Sequence, residues 1–431
     1  MSNLTDEKLV RLRQESIDGA AGVANRSGEP LKCRPHILLY GGFGIGNTGN
    51  DATLEVALAG LRERLPDARF TIVAPNPGAV EAELGIPTIP IDAPARVRPR
   101  WLGPIFRPVE EIGRWLQNRR LTEVADCLVV PGTGIFDDLV VTARQHAYPM
   151  WRWCVLAKRA GVKVMFVSIG AGPVKRAPSR RFFAWTAEIA NYRSYRDEAS
   201  KNFVHDVLRV DTSEDAITPD LVFGLEVAAP PLRAVGKRVI GIGVMDYHTW
   251  SGEKGTPDDI YDQYMAKLSA LCLDLLRQGH ALHILVGDIG DTPAAVDLRE
   301  RLSKAAPDRK DDVSTVQARS LRDLCGAIGK TDAVLATRYH TVVGALICGR
   351  PAISLGYAEK NRAVMTDFGL GTYCHDIWDF DSARLNGQLS ELLRDLPAHS
   401  EALQRIAERL REAVSSHLDD VAASIRTRKK S

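Results

Sequence analysis

Arg338 and His340 are the side chains best placed in the sequence to do chemistry. They follow the apolar run DAVLAT, 332–337, and stand two residues apart. In extended backbone that spacing turns both to one face and Tyr339 to the other. A guanidinium presents a planar fork of N–H donors that suits a carboxylate or a phosphate. An imidazole changes charge near neutrality and can hand over a proton. The pair therefore reads as an anion clamp with a built-in acid; the plain alternative for His340 is a core histidine with a satisfied hydrogen bond. A helix over TVVGALICG would add the positive potential of its N-terminus. Past the next apolar run, RPAISLGY, Lys360 and Asn361 sit in a loop that either reaches the same place or is simply exposed.

A second cluster is GGFGIGNTGNDATLEVAL, 41–58, with glycines at 41, 42, 44, 46 and 49. Glycines permit positive φ and close backbone approach. A helix starting near Asp51 or Ala52 would aim free N–H groups at an anion. Gly44, Gly46, Asn47, Thr48, Gly49, Asn50 and Asp51 are thus candidate ligand contacts, against the alternative of a tight turn. The spacing is neither the dinucleotide GxGxxG with its acidic ribose reader nor a GK[ST] phosphate loop. PGTGIFDD, 131–138, offers Gly132, Thr133 and Gly134 as a further lip of a site. Its Asp137 and Asp138 fit equally well in the first turn of a helix. SIGAGPVKR and YRSYRDEAS place Lys175, Arg176, Arg193 and Arg196 after strands, with Arg196 the best anion ligand among them. GIGVMDYH and VGDIGD add Asp246, Tyr247, His248, Asp288 and Asp291 as loop candidates. Finally, residues 96–120 interleave seven arginines with Trp101, Phe106 and Trp115. That composition suits an anionic membrane or a lipid-linked sugar diphosphate, a single-stranded nucleic acid, or a solvated amphipathic helix.

These motifs hang on alternating elements. HILLYGG, RFTIVAP, CLVVPGTG, KVMFVSIGAG and NYRSYRD read as strands, and helical runs such as TLEVALAGLRERL and WRWCVLAKRAG separate them. A second series runs through RVIGIGVMDY, ALHILVGD, DAVLATRYH and RPAISLGY. Strand–helix alternation implies parallel sheets, and ligands of such sheets bind at the carboxyl ends of the strands. The expected architecture is α/β, with two Rossmann-like domains facing a cleft and helices at the C-terminus. Its segments are an N-terminal extension over 1–34, an α/β domain over 35–225, a linker over 226–237, a second α/β domain over 238–380, and terminal helices with a basic tail over 381–431.

The chain has 431 residues, 45% hydrophobic and 26% charged, which is ordinary for a globular protein of two domains. Its net charge is only +2, so no global field draws it to nucleic acid. Seven widely spaced cysteines without a CxxC pair suggest reduced thiols in a cytoplasmic protein. No apolar run approaches the roughly 20 residues of a membrane span, which leaves peripheral contact at the inner face of a membrane as the expected limit. No metal-ligand cluster or cofactor motif stands out.

The order GFGIGNTGNDA, LVVPGTGIFDD, SIGAGP, SYRDEAS, TPDLVF and TRYHTVVGALICGRPAISLGYAEKN resembles the polysaccharide pyruvyl transferase family over about residues 36–375. The resemblance implies a glycosyltransferase-B-like fold and use of phosphoenolpyruvate as donor, without a cofactor. The acceptor would be a sugar on a lipid-linked or nucleotide-linked glycan, made into a pyruvyl ketal during cell-surface polysaccharide synthesis. It makes His340 the general acid and Arg338 a donor ligand, and it matches Arg196 and Asp197 to an Arg-Asp element. Where the family has GNxGD, this chain has Gly46-Asn47-Thr48-Gly49-Asn50, with Asp51 next, so one carboxylate is shifted or lost. The competing readings are a nucleotide-sugar glycosyltransferase of the same architecture and a non-catalytic glycan- or anion-binding protein.

Overall fold

The computed structural model describes residues 34–92, 103–138, 142–228, 231–232, 237–246, 256–356 and 359–427, and the side chains of these except 103–107 and 257. Nearly all of the expected N-terminal extension, Cys33, half of the linker, Tyr247, His248, the arginines of 96–100, Trp101, the side chain of Phe106 and the basic C-terminal end lie outside the described residues.

The chain divides into two compact units. The first comprises residues 1–45, 53–221 and 415–431; the second comprises 46–52 and 222–414. The terminal helices expected as a segment of their own are instead shared, because the helix Leu396–Arg426 passes from the second unit to the first at 414/415.

In the first unit, seven parallel strands lie in the order β3-β2-β1-β4-β5-β6-β7. They are β1 (His36–Tyr40), β2 (Arg69–Ala74), β3 (Thr88–Pro90), β4 (Cys127–Pro131), β5 (Lys163–Ile169), β6 (Tyr192–Tyr195) and β7 (Ala216–Ile217). HILLY and CLVVP are buried at every position, as strands covered on both faces must be. Helices Gly103–Thr122, Ala147–Arg159 and Ala177–Ile189 pack side by side over a core of Trp153, Phe136, Phe166 and Phe183. Arg152 is wholly buried there, and Glu111 at 2.6 Å and Asp92 neutralise it.

The second unit repeats the plan with six parallel strands, β10-β9-β8-β11-β12-β13. They are β8 (Val239–Gly243), β9 (Ala281–Val286), β10 (Val313–Gln317), β11 (Ala333–Ala336), β12 (Ala352–Gly356) and β13 (Cys374–Asp376). Renumbered within the unit, the order is 3-2-1-4-5-6, the doubly wound arrangement.

Three local expectations are corrected. The helix after the glycine-rich run begins at Thr48, not at Asp51 or Ala52, because the Asn47 carboxamide oxygen accepts the Asn50 N–H at 3.2 Å and caps it earlier. Asp137 and Asp138 start no helix. Asp138 is instead buried and accepts the N–H groups of Lys175 and Arg176 at 2.7 and 2.9 Å. Arg193 lies within β6 rather than after it, paired with Asp215 at 2.7 Å.

Residues 415–427 complete the first unit. Leu418 lies against Gly60, Arg64 pairs with Asp419 at 2.7 Å, and the buried His417 ring meets Ser194 Oγ at 3.1 Å. Burial holds this imidazole down, from 6.5 to about 4, against the opposing pull of Asp420. The unfolded chain therefore binds a proton that the folded chain refuses, and stability falls as pH drops from about 6.5 towards 4. The expected loss is on the order of 3 kcal/mol. Urea unfolding of His417→Gln across that range should show a shallower decline than the parent, and equal slopes would refute the assignment.

Candidate active site

In a doubly wound sheet the strand order reverses between the first and fourth strands, and the crevice lies at their carboxyl ends. In the second unit those strands are β8 and β11. β11 stops at Ala336; Thr337 donates its N–H to Gly243 at 3.2 Å, and its hydroxyl meets the buried Tyr264 hydroxyl at 3.2 Å. The chain then turns into the helix Tyr339–Ile347 with Arg338 at its N-cap.

This turn corrects the reading of the arginine–histidine pair. Arg338 is at a cap and His340 is the second residue of a helix, so the two do not share the face of a strand. The Arg338 guanidinium instead grips Asp291 through Nε at 2.7 Å and Nη2 at 2.6 Å. Asp291 is fully buried, whereas the Arg338 side chain keeps 29% of its exposure. A second oxygen contact comes from the Asp246 N–H, at 2.9 Å to Asp291 Oδ1. Burial pushes the Asp291 carboxyl above its ordinary range, and Arg338 and the Asp246 N–H pull against it without prevailing.

Tyr339 does not point away from its neighbour: its ring lies edge-on to the His340 imidazole, centroids 5.2 Å apart. The Lys360 ammonium stands 5.3 Å over the same Tyr339 ring. Asn361 is fully buried one residue on, its amide donating to Ser354 Oγ at 3.1 Å. Lys360 and Asn361 thus belong to a helix, Glu359–Asp367, and not to a loop.

The segment 46–52 joins this unit. Thr48 Oγ1 donates to the Gly287 carbonyl at 2.8 Å, and Asn47 bridges Asp288. Gly46, at φ +86°, faces Ile289. Gly49 lies on His340 so closely that a Cβ there would stand 2.1 Å from the imidazole. Only glycine permits that approach. Gly49 therefore meets His340, while Gly46, Asn47 and Thr48 meet residues 287–289 after β9; Asn50 and Asp51 continue the same segment, in the unit that holds Arg338, Tyr339, Lys360 and Asn361.

The remaining candidates lie in the first unit. Gly44 packs against Asn76 and Val80. Gly132 and Thr133 follow β4 at φ +52° and +64°. For the β-branched Thr133 that backbone costs about 1–3 kcal/mol. Gly134 follows, close to Asp137. Arg196, 6% exposed, pairs with Asp220 at 3.0 Å and lies over Gly170, at the carboxyl ends of β5 and β6. Sequence reasoning passed over Asp220; its post-strand TPD setting was the available signal. It offered Asp291 as a loop acid, without connecting it to Arg338.

Two doubly wound parallel sheets make this a protein of the glycosyltransferase-B-like class. Similar solved structures include a putative UDP-N-acetylglucosamine 2-epimerase from Listeria monocytogenes, at TM-score 0.58 and 12% identity, covering 90% of this chain and 97% of that one. UDP-GlcNAc 2-epimerase from Neisseria meningitidis, bound to UDP-GlcNAc, matches at 0.56 and 11%, over 91% and 99%. MurG from Acinetobacter baumannii matches at 0.52 and 13%, over 90% and 99%. At these identities the likeness is one of fold. No curated protein matches the sequence. The profile of the polysaccharide pyruvyl transferase family matches residues 47–359, and the chain belongs to that family.

Removing Arg338 would strand a buried carboxylate. Arg338→Ala should lose about 2–3 kcal/mol, somewhat under the range for a fully buried pair because the guanidinium is partly exposed. Adding Asp291→Asn should restore part of that. In the single variant Asp291 titrates higher still, so its stability deficit should shrink as pH falls towards 5. Denaturant midpoints that are identical for the single and double variants at every pH would contradict the coupling.

Proposed function

We propose that this chain transfers the pyruvyl group of phosphoenolpyruvate to hydroxyls of a sugar, forming a ketal, in the synthesis of a cell-surface polysaccharide or glycolipid. Family membership supports the transferase class. The observation that carries the finer reading is the convergence of Arg338, His340 and Lys360 at the carboxyl end of the second sheet, beside the capped start of a helix. Phosphoenolpyruvate bears a carboxylate and a phosphate on three carbons. It needs cations for both and a proton for its methylene carbon.

In this scheme Arg338 and Lys360 bind the donor anion and His340 Nδ1–H or Nε2–H protonates the methylene carbon. The adjacent carbon becomes electrophilic, and one sugar hydroxyl attacks it and loses its proton. The C–O bond to phosphate then breaks. A second hydroxyl attacks the same carbon and gives up its proton, closing the ketal. Two hydroxyl protons are released; one is balanced by the proton gained at carbon and the other leaves with phosphate. Asp291 keeps Arg338 from swinging freely, so the edge of the guanidinium turned away from Asp291 meets the donor in a fixed orientation. Tyr339 and Gly49 flank the imidazole, the rest of the segment Gly46–Asp51 is assigned to substrate binding, and Asn361 ties Thr337, past β11, to Ser354 of β12. Gly132, Thr133, Gly134 and Arg196 are assigned to substrate binding from their post-strand positions. Gly44, which packs against Asn76 and Val80, is the weakest of the assigned contacts.

The reading is tested by incubating the protein with phosphoenolpyruvate and a panel of lipid-linked and nucleotide-linked sugars. A product heavier by a pyruvyl ketal, with phosphate released, is expected. Turnover of a sugar nucleotide as donor, with no heat on titrating phosphoenolpyruvate, would overturn it. His340→Ala should lower turnover by roughly 10²- to 10⁴-fold and leave donor binding within a few-fold of the parent. Undiminished phosphate release by that variant would remove His340 from the acid role.

A further inference from the structure

We propose that the outer face of the helix Gly103–Thr122 seats the protein on an anionic lipid surface. A surface helix ordinarily turns charged residues to water. Here Val109, Ile112 and Leu116 are 63%, 60% and 52% exposed. Their spacing of three and four places them in one stripe.

The inner face of the same helix is already satisfied. Asn118 is buried, Glu111 pairs with Arg152, and Trp115 donates to the Tyr148 hydroxyl at 3.1 Å and stacks edge-on to Trp151 at 5.9 Å. Folding therefore does not call for the outer stripe. The helix also carries exposed arginines and contacts a tryptophan cluster. Just past Leu116, Arg119, paired with Glu123 at 2.7 Å, and Arg120 are exposed, and in sequence the stretch 96–120 carries seven arginines against Glu110 and Glu111. Trp151 leads on to Trp185, which is 40% exposed with the Arg181 guanidinium 5.6 Å over its ring. Aliphatic residues that can enter the acyl boundary, tryptophan at headgroup depth and arginines for lipid phosphates are the chemistry of in-plane membrane binding. Among the described residues no helix is long and apolar enough to cross a membrane, so the contact would be of this interfacial kind.

A second copy of the chain fits the same face less well. Three aliphatic side chains fall short of the roughly 800 Å² per partner of a standard interface. A two-fold contact would also bring arginines against arginines. This proposal stands apart from the identity of the donor and acceptor.

The full-length protein is sedimented with vesicles of phosphatidylcholine alone and of phosphatidylcholine with phosphatidylglycerol. Co-sedimentation is expected with the anionic vesicles, and it should fall as salt is raised. Ile112→Asn with Leu116→Gln should lower the partition coefficient about tenfold with an unchanged melting temperature, since both side chains are exposed. Arg119→Glu with Arg120→Glu should lower it further at low salt than at high salt. Undiminished binding by both variants, equal binding to neutral vesicles, or no binding by the parent would each overturn the proposal. So would a parent dimer in gel filtration that the same substitutions disperse.

Discussion

The carboxylate of Asp291 lies at full burial against a guanidinium that is still partly in water, and most of the second unit's site is arranged by that contact. Asp291 closes the short turn after β9 and is held by the backbone of the β8 loop. By gripping Arg338 it ties that turn to the cap of the helix that carries His340. Three strand ends are thus joined through one carboxylate. An isolated buried charge would be far too costly, so the pair must form together or Asp291 must take up a proton. The site accordingly has its cation oriented before any ligand arrives, which spares the ordering of a long side chain on binding.

His340 is governed by a different constraint, which is space. Its ring lies edge-on to Tyr339 and close against the backbone of Gly49. The first concerns neighbours in sequence; the second brings in a residue almost three hundred positions earlier. This is the physical meaning of the glycine at position 49. It contributes an approach distance and not a turn. Gly46, by contrast, does need its left-handed backbone.

The two sheets were legible because their central strands are unbroken apolar runs, and HILLY or KVMFVSI admits no other easy reading. The edge strands were not. VSTVQ of β10 is mostly exposed and β7 is two exposed residues, so neither leaves a hydrophobic signature. The residues of the site were legible by type, since arginine, histidine and post-strand glycine advertise themselves. Their geometry was not. Reading Arg338 and His340 as strand neighbours assumed that the extended backbone of β11 ran four residues longer than it does. The partner of Arg338 lies 47 residues away, and nothing local in GDIGD points to it.

The path of the backbone between the two units carries its own consequence. Residues 46–52 belong with the later part of the chain, and 415–427 belong with the earlier part. Leu418, Val421 and Ala422 are core residues of a unit that is otherwise complete by position 221. Severing the polypeptide at that position would leave each fragment missing a piece encoded in the other. On a ribosome, the sheet made first lacks this flank until residues 415–427 have followed those of the second unit, so the earlier lobe closes its core after the later one has been synthesised.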